Sequence, residues 1–171
     1  MIQNYEDGTC GLWAMRAAMK CFGHTILIRQ LALTYCKDVD RIIEEGVDER
    51  GIQKVLHKQG YTCTVSEEMR KDEFAVWLYR ELQAGHPVIF NTCQGEHWVC
   101  ITQLIDERHV IVIDSTATTP VAVWTWNRLR AENGHKWYYG ISVRAMSDMY
   151  TPHLAYVQAR LDYGKWVHRM V

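Results

Sequence analysis

Cys10, His97 and Asp114 are the side chains whose types and positions could perform covalent chemistry. A cysteine is a strong nucleophile only as the thiolate, and both a helix N-terminus and a neighbouring imidazole favour that form. A carboxylate beside the imidazole would fix its tautomer and stabilise the imidazolium formed when the thiol ionises. The three residues therefore predict a triad with Cys10 as nucleophile, His97 as base and Asp114 as the residue that orients the base.

The residues after Cys10 predict that it begins a helix. Apolar residues recur at helical spacing beyond it, and Gly23 is a natural helix stop. The amides of a first helical turn have no partner within the helix, so the amide of Cys10 could donate to an oxyanion. Gln3 or Asn4 could supply a second donor from a side-chain amide, and Gly11 would leave the approach of a substrate to the sulfur open.

His97 opens an apolar strand directly after a turn, and Asp114 ends the next strand. The segments 97–104 and 109–114 are rich in valine and isoleucine, which favours two consecutive antiparallel strands. A hairpin of these strands would return the carboxylate beside the imidazole. Glu96 could favour a basic or polar group in the substrate, or be a solvated turn residue. Trp98 could line the substrate cleft, or belong to the core.

A zinc site is the alternative use of the residues around the base. Cys93, His97 and Cys100 lie close in sequence, but no second pair of ligands at the spacing of a structural zinc site accompanies them. The thiol chemistry outlined above requires no other group. We therefore predict neither a metal nor an organic cofactor.

The elements that must position these residues form an α+β arrangement, with helices first and a sheet after them. N-terminal helices are expected to pack on an antiparallel β-sheet. The periodicity predicts helices at about 10–23, 28–37, 51–59, 71–84 and 126–133, strands at 61–65, 87–91, 97–104, 109–114, 121–124 and 137–143, and a last helix opening at Thr151-Pro152.

The composition is that of an ordinary globular protein of one domain, since 171 residues fall within the roughly 100 to 200 of a single domain. With 19 basic and 20 acidic residues, the protein has no net positive field that would attract nucleic acid or an anionic membrane. No signal peptide and no apolar run of about 18 residues are evident. We therefore expect a cytoplasmic protein whose six cysteines are thiols.

A set of motifs along residues 1–145 resembles the C39-type papain-like peptidases. The motifs are Gln3 ahead of Cys10-Gly11, Gly51-Ile52 with Leu56 and Gly60, Gly85-His86-Pro87-Val88-Ile89, His97-Trp98-Val99, and Val112-Ile113-Asp114. The resemblance implies a papain-like fold in which Gln3 is the oxyanion donor and Cys10, His97 and Asp114 form the triad. It also implies cleavage of a peptide after small residues such as Gly-Gly.

Three features depart from that family. Six residues separate Gln3 from Cys10, one more than is usual, so Asn4 occupies the usual register of the glutamine. Ser115 stands where the family commonly has proline. The family's leader-peptide processors are mostly fused to a transporter with membrane spans, and no apolar run in this sequence predicts such a span.

We predict two parts: a peptidase domain at 1–145 and a helical extension at 146–171 that packs on it. The extension could instead dock a partner or a second copy of the chain. The predicted function is hydrolysis of a peptide or amide bond in a peptide or protein substrate, through a thioester. The alternatives are another Cys-His-Asp enzyme (transglutaminase-like, an amidase or an acyltransferase) and a non-catalytic peptide-binding domain.

Overall fold

Helices precede most of the sheet along the chain. The computed structural model describes residues 8–36, 39–134 and 136–146. The helices in these ranges are α1 (Cys10–Cys21), α2 (Ile28–Tyr35), α3 (Val39–Glu45), α4 (Glu49–Lys58), α5 (Lys71–Gln83) and α6 (Trp126–Asn133). The strands are β1 (Tyr61–Val65), β2 (Val88–Thr92), β3 (His97–Leu104), β4 (His109–Ile113), β5 (Val121–Thr125) and β6 (Gly140–Ala145).

The strands form one sheet in the order β1-β6-β2-β3-β4-β5. Every pairing of neighbouring strands in it is antiparallel. Consecutive strands β2 to β5 lie side by side, and β6 inserts between β1 and β2. The prediction of an α+β fold with an antiparallel sheet is confirmed.

Alternating side chains of the sheet face two apolar clusters. Ile89 of β2 packs with α1, α2 and α4, whereas its neighbours Val88 and Phe90 pack with α5 and α6. In β3, Trp98 and Cys100 belong to the first cluster in the same way. This period of two is what a sheet covered on both faces requires.

Helix α3 was not predicted from the sequence. It is only seven residues long, with Ile42 buried and the following Ile43 exposed, so its apolar pattern is too short to show a helical period. The chain continues from it through Gly46, Val47 and Asp48 into α4. This connection lies beside the start of α1, where the amide of Gly8 donates to the carbonyl oxygen of Ile43 at 2.9 Å.

Several predicted features fall outside the described residues. Gln3 and Asn4 are among them, as is the last helix predicted from Thr151, so the boundary between 1–145 and 146–171 stays a prediction. Among the helices that the structure does describe, none is long and apolar enough to cross a membrane.

Candidate active site

A cleft of about 1010 Å³ opens at the N-terminal end of α1. One wall is the α3–α4 connection, and the opposite wall is formed by the start of β3 and the residues after β4. Cys10, Glu96, His97, Trp98 and Thr116 all line it. The structure therefore brings the predicted cysteine and histidine into one cavity.

Cys10 is the first residue of α1, as the sequence pattern predicted. The helix packs along β3, which buries most of Cys10 and leaves 8% of the residue exposed, on the cleft side. The partial positive charge of a helix N-terminus favours negative charge that develops at this position. Its backbone amide lies in the first turn and points along the helix axis, away from the carbonyl groups of later turns.

His97 and Asp114 are joined by a hydrogen bond of 2.9 Å between Nε2 and Oδ1. The predicted hairpin is present, because β3 and β4 are antiparallel with Ile101 paired to Val112. Asp114 directly follows β4 and therefore lies at the end of the sheet where β3 begins. Both side chains of the pair are only 15% exposed, so water screens their interaction little.

The thiol of Cys10 is the second group that acts on the His97 imidazole. Since Nε2 is engaged by Asp114, Nδ1 is the ring nitrogen left for the sulfur. Burial alone would lower the pKa of His97, but the hydrogen bonds to Asp114 and Cys10 and the negative charges of both groups raise this pKa to about 10. This arrangement favours the charged imidazolium of His97 at neutral pH.

Asp114 is held by Thr116, a residue that the sequence analysis missed. Its Oδ1 accepts hydrogen bonds from the Thr116 amide at 3.0 Å and from Thr116 Oγ1 at 2.8 Å. Burial would raise the pKa of Asp114, but the hydrogen bonds from His97 and Thr116 outweigh it and lower the pKa. An aspartate followed two residues later by threonine at a strand end is typical of a side-chain-capped turn, and this signal could have identified Thr116.

Trp98, Glu96 and Gly11 were predicted to contact substrate. Trp98 lines the cleft but is 93% buried, and its Nε1 donates to the carbonyl oxygen of Val47 at 3.1 Å. Glu96 also lines the cleft and is exposed. Gly11 is buried, and a Cβ atom there would lie 3.1 Å from Val47 Cβ. Gly11 therefore faces the packed interface between α1 and the opposite wall, and its contact with substrate stays a prediction.

The remaining thiols differ from Cys10 in their surroundings. All six cysteines are free. Burial raises the pKa of Cys21 to about 12 and that of Cys63 to about 11, and it raises the pKa of Cys100 as well. Cys93 is the exposed one. Among the described residues, no group of three metal-ligating side chains lies close enough to hold an ion.

Carboxylates outnumber cations around the cleft. The acidic lining residues are Glu44, Glu45, Asp48, Glu49, Glu68 and Glu96, whereas Arg50 is the arginine among the lining residues. Three of the carboxylates have partners: Glu45 pairs with Arg41, Asp48 caps α4, and Glu49 lies near Tyr139, whose pKa is raised by burial and by the negative charge of Glu49. The other three have no hydrogen-bond or ion-pair partner within the part of the chain that the structure describes.

Comparison with solved structures finds the same fold in C39 peptidase domains. The peptidase domain of Streptococcus ComA, a bi-functional ABC transporter involved in a quorum sensing pathway, superposes with a TM-score of 0.61 at 16% identity, over 84% of this chain and 94% of that domain. The peptidase domain of Streptococcus mutans ComA in complex with a small-molecule inhibitor gives 0.52 at 14% identity, over 84% and 97%.

A protein of Bacillus anthracis assigned as a C39-like peptidase is also similar, with a TM-score of 0.55 at 14% identity over 86% of this chain and 95% of that one. No family model matches the sequence. No curated protein matches it either. The resemblance to C39-type peptidases read from the sequence is thus confirmed at the level of the fold.

Proposed function

We propose that this chain is a cysteine peptidase, which hydrolyses a peptide or amide bond with Cys10 as nucleophile, His97 as acid and base, and Asp114 as the residue that orients His97. The observation that carries the proposal is that Cys10 and His97 line one cleft while His97 is hydrogen-bonded to Asp114 at 2.9 Å. The fold shared with C39 peptidase domains supports it.

The reaction has two halves. The Cys10 thiolate attacks the carbonyl carbon, which forms a C–S bond and moves an electron pair onto the carbonyl oxygen. When the oxyanion collapses, the C–N bond breaks, and the imidazolium of His97 gives its proton to the leaving amine. His97, now neutral, takes a proton from water; the resulting hydroxide attacks the thioester, the C–S bond breaks, and the acid leaves as the Cys10 thiolate is restored.

The oxyanion of each half needs hydrogen-bond donors. The amide of Cys10 at the start of α1 is suited to this role because first-turn amides have no acceptor within the helix. Gln3 or Asn4 is our proposed second donor, on the strength of the sequence resemblance alone. The chemistry requires no metal or organic cofactor, and it requires a reduced Cys10, which the cytoplasm would maintain.

The charge of the cleft favours a peptide or protein substrate with a basic residue near the scissile bond. Glu44, Glu68 and Glu96 lack partners in the described structure and line the same cavity as Cys10. A lysine or arginine of the substrate would pair with them, whereas an acidic residue would be repelled. Cleavage after small residues such as Gly-Gly is a separate expectation, which rests on the family resemblance.

The first experiment measures whether Cys10 is activated. Iodoacetamide labelling should be followed by mass spectrometry in a Cys93→Ser background, which removes the exposed competing thiol. We expect Cys10 to react faster than the remaining four cysteines, and His97→Ala to slow this reaction by at least 10-fold. Equal labelling of Cys10 in the presence and absence of His97 would refute an activated nucleophile.

The second experiment separates hydrolysis from the alternatives. A peptide library with double-glycine sites and lysine at varied distances from them should be incubated with the wild type and with Cys10→Ala. New carboxyl termini formed by the wild type alone support a peptidase. Products joined to an added amine or acyl acceptor would instead indicate a transferase, and bound but intact peptides would indicate a binding domain.

A further inference from the structure

We propose that Thr116 is a positioning residue of this site, whose hydroxyl holds Asp114 and keeps the proton of neutral His97 on Nε2, so that Nδ1 faces Cys10. The importance of Thr116 for catalysis rests on the proposed function. Its effect on Asp114 and on the His97 tautomer is a separate, directly measurable property.

Three donors converge on one oxygen atom of Asp114. Oδ1 accepts from His97 Nε2 at 2.9 Å, from the Thr116 amide at 3.0 Å and from Thr116 Oγ1 at 2.8 Å. Hydrogen bonds to a carboxylate are stronger than those between neutral groups. Their convergence fixes Oδ1 at one point and therefore fixes the direction in which the imidazole must aim Nε2.

The Thr116 hydroxyl also limits where the His97 proton can sit. Oγ1 has a single hydrogen, and the 2.8 Å contact with Asp114 Oδ1 uses it. Because Oγ1 also lies 3.4 Å from His97 Nε2, its lone pair can only accept from a hydrogen on that nitrogen. Both neighbours of Nε2 are thus acceptors, which stabilises the tautomer protonated there and leaves the Nδ1 lone pair for the thiol.

The Thr116 hydroxyl makes contacts that are not required to close the turn. An aspartate-capped turn is closed by the hydrogen bond from the Thr116 amide to Oδ1, and this bond would remain with valine at position 116. Thr116 lines the cleft on the same side as His97. A valine of the same shape therefore removes the two contacts of Oγ1 and leaves the backbone contact in place.

The test compares Thr116→Val with Thr116→Ser, which keeps the hydroxyl. Thr102→Val is a matched control, because the Thr102 hydroxyl also donates within the β3–β4 hairpin, to the carbonyl oxygen of Ile111, but away from the cleft. The measurements are ¹³C NMR titration of the Asp114 carboxyl carbon, ¹⁵N NMR of the His97 ring, the iodoacetamide rate at Cys10, and kcat and KM on any substrate found.

In Thr116→Val we expect the Asp114 titration midpoint to rise, since its carboxylate loses a donor. The ¹⁵N shifts of neutral His97 should move toward a mixture of the two tautomers. The labelling rate of Cys10 at neutral pH should fall by about 3-fold to 10-fold, the factor that one net hydrogen bond is worth. Thr116→Ser and Thr102→Val should retain wild-type values, and any loss of hydrolysis should appear in kcat rather than in KM.

Unchanged NMR signals and an unchanged labelling rate in Thr116→Val would overturn the proposal. Equal losses in Thr116→Val and Thr116→Ser would also overturn it, because they would assign Thr116 to packing. If no substrate is ever cleaved, the proposed function fails but the titration and the tautomer of His97 still decide the role of Thr116. The two failures are therefore distinguishable.

Discussion

The two walls of the cleft are built in opposite ways. The wall that carries His97 is buried and densely hydrogen-bonded, with the imidazole, Asp114 and Thr116 connected by contacts of 2.8 to 3.4 Å. The facing wall, residues 43–50, presents exposed carboxylates from a helix end and a loop. A buried array with fixed geometry is suited to proton transfer, whereas exposed charges are suited to selecting a partner.

The acidic wall nevertheless has a fixed place, because two backbone contacts anchor it. Trp98 donates to the carbonyl oxygen of Val47, and the Gly8 amide donates to that of Ile43. A Cβ atom on Gly8 would lie 2.6 Å from the carbonyl oxygen of Ile42 and 2.8 Å from the Gly46 amide nitrogen. The two walls thus differ in the number of hydrogen bonds within each wall. Trp98, on the wall of His97, also anchors the facing wall through its bond to Val47.

The largest effect should come from Asp114→Asn, which removes the negative charge of the buried wall. The pKa of His97, which is raised to about 10, should fall, because the hydrogen bond to a carboxylate and its negative charge are lost. The charged imidazolium persists below its pKa and disappears as the pH rises through it. The alkaline limb of kcat/KM should therefore move to lower pH, and kcat at neutral pH should fall on the order of 1,000-fold to 10,000-fold.

Asp106→Asn is the matched control for that change. Asp106 also bonds a histidine, His109, but it lies in the exposed β3–β4 turn outside the cleft. Its replacement should leave the pH profile unaltered. An Asp114→Asn enzyme with the alkaline limb of the wild type would show that Asp114 does not set the pKa of His97.

Replacing Gly8 with alanine should give the next largest effect. The added methyl group cannot fit beside Ile42 and Gly46, so the α3–α4 connection must move away from α1. We expect a loss of about 1 to 3 kcal/mol in the free energy of unfolding, as for other overpacked positions. Urea denaturation followed by tryptophan fluorescence measures it, and unchanged stability would mean that the wall adjusts freely.

Removing single exposed charges from the rest of the cleft lining should have smaller effects, and on selectivity alone. In Glu96→Gln and Glu68→Gln, the ratio of kcat/KM for a lysine-containing peptide to that for its glutamate counterpart should fall by about 2-fold to 5-fold, as for exposed ion pairs. Added salt should reduce the wild-type ratio as well. Glu107→Gln, in a turn outside the cleft, is the control. If neither variant changes this ratio, the cleft charges do not determine which substrate is preferred.

An effect of similar size concerns the bond that joins the two walls. Trp98→Phe removes the hydrogen bond to Val47 while retaining most of the ring, so it should cost about 1 kcal/mol of unfolding free energy. Trp124→Phe is a fitting control, because Trp124 Nε1 is buried with no hydrogen-bond partner among the described residues. Equal losses in the two variants would argue that ring packing, and not the bond to Val47, explains the effect.

The positions of Cys10, His97 and Asp114 were predictable because each stands at the end of an element with a strong pattern. Helical periodicity defines α1, and runs of valine and isoleucine define β3 and β4. Local patterns of this kind depend on side chains within one element. Because β3 and β4 are also adjacent in sequence, their hairpin could be predicted, and with it the contact of His97 with Asp114.

Helix α3 and the role of Thr116 were not predictable in the same way. The helix is held by Ile42 and by its contact with Gly8, which is more than 30 positions earlier in the chain. Thr116 acquires its second contact only because the β3–β4 hairpin and the turn after β4 bring it beside His97. A pattern within one segment carries no information about such partners.

The sequence by itself determined which residues could do chemistry and which elements begin or end at them, because amphipathic period and residue type are local properties. Only the tertiary structure decided that α1 packs against β3 so that Cys10 meets His97, that three donors converge on Asp114 Oδ1, and that unpaired carboxylates share this cleft. These features depend on contacts between distant segments, which form when both faces of the sheet are buried.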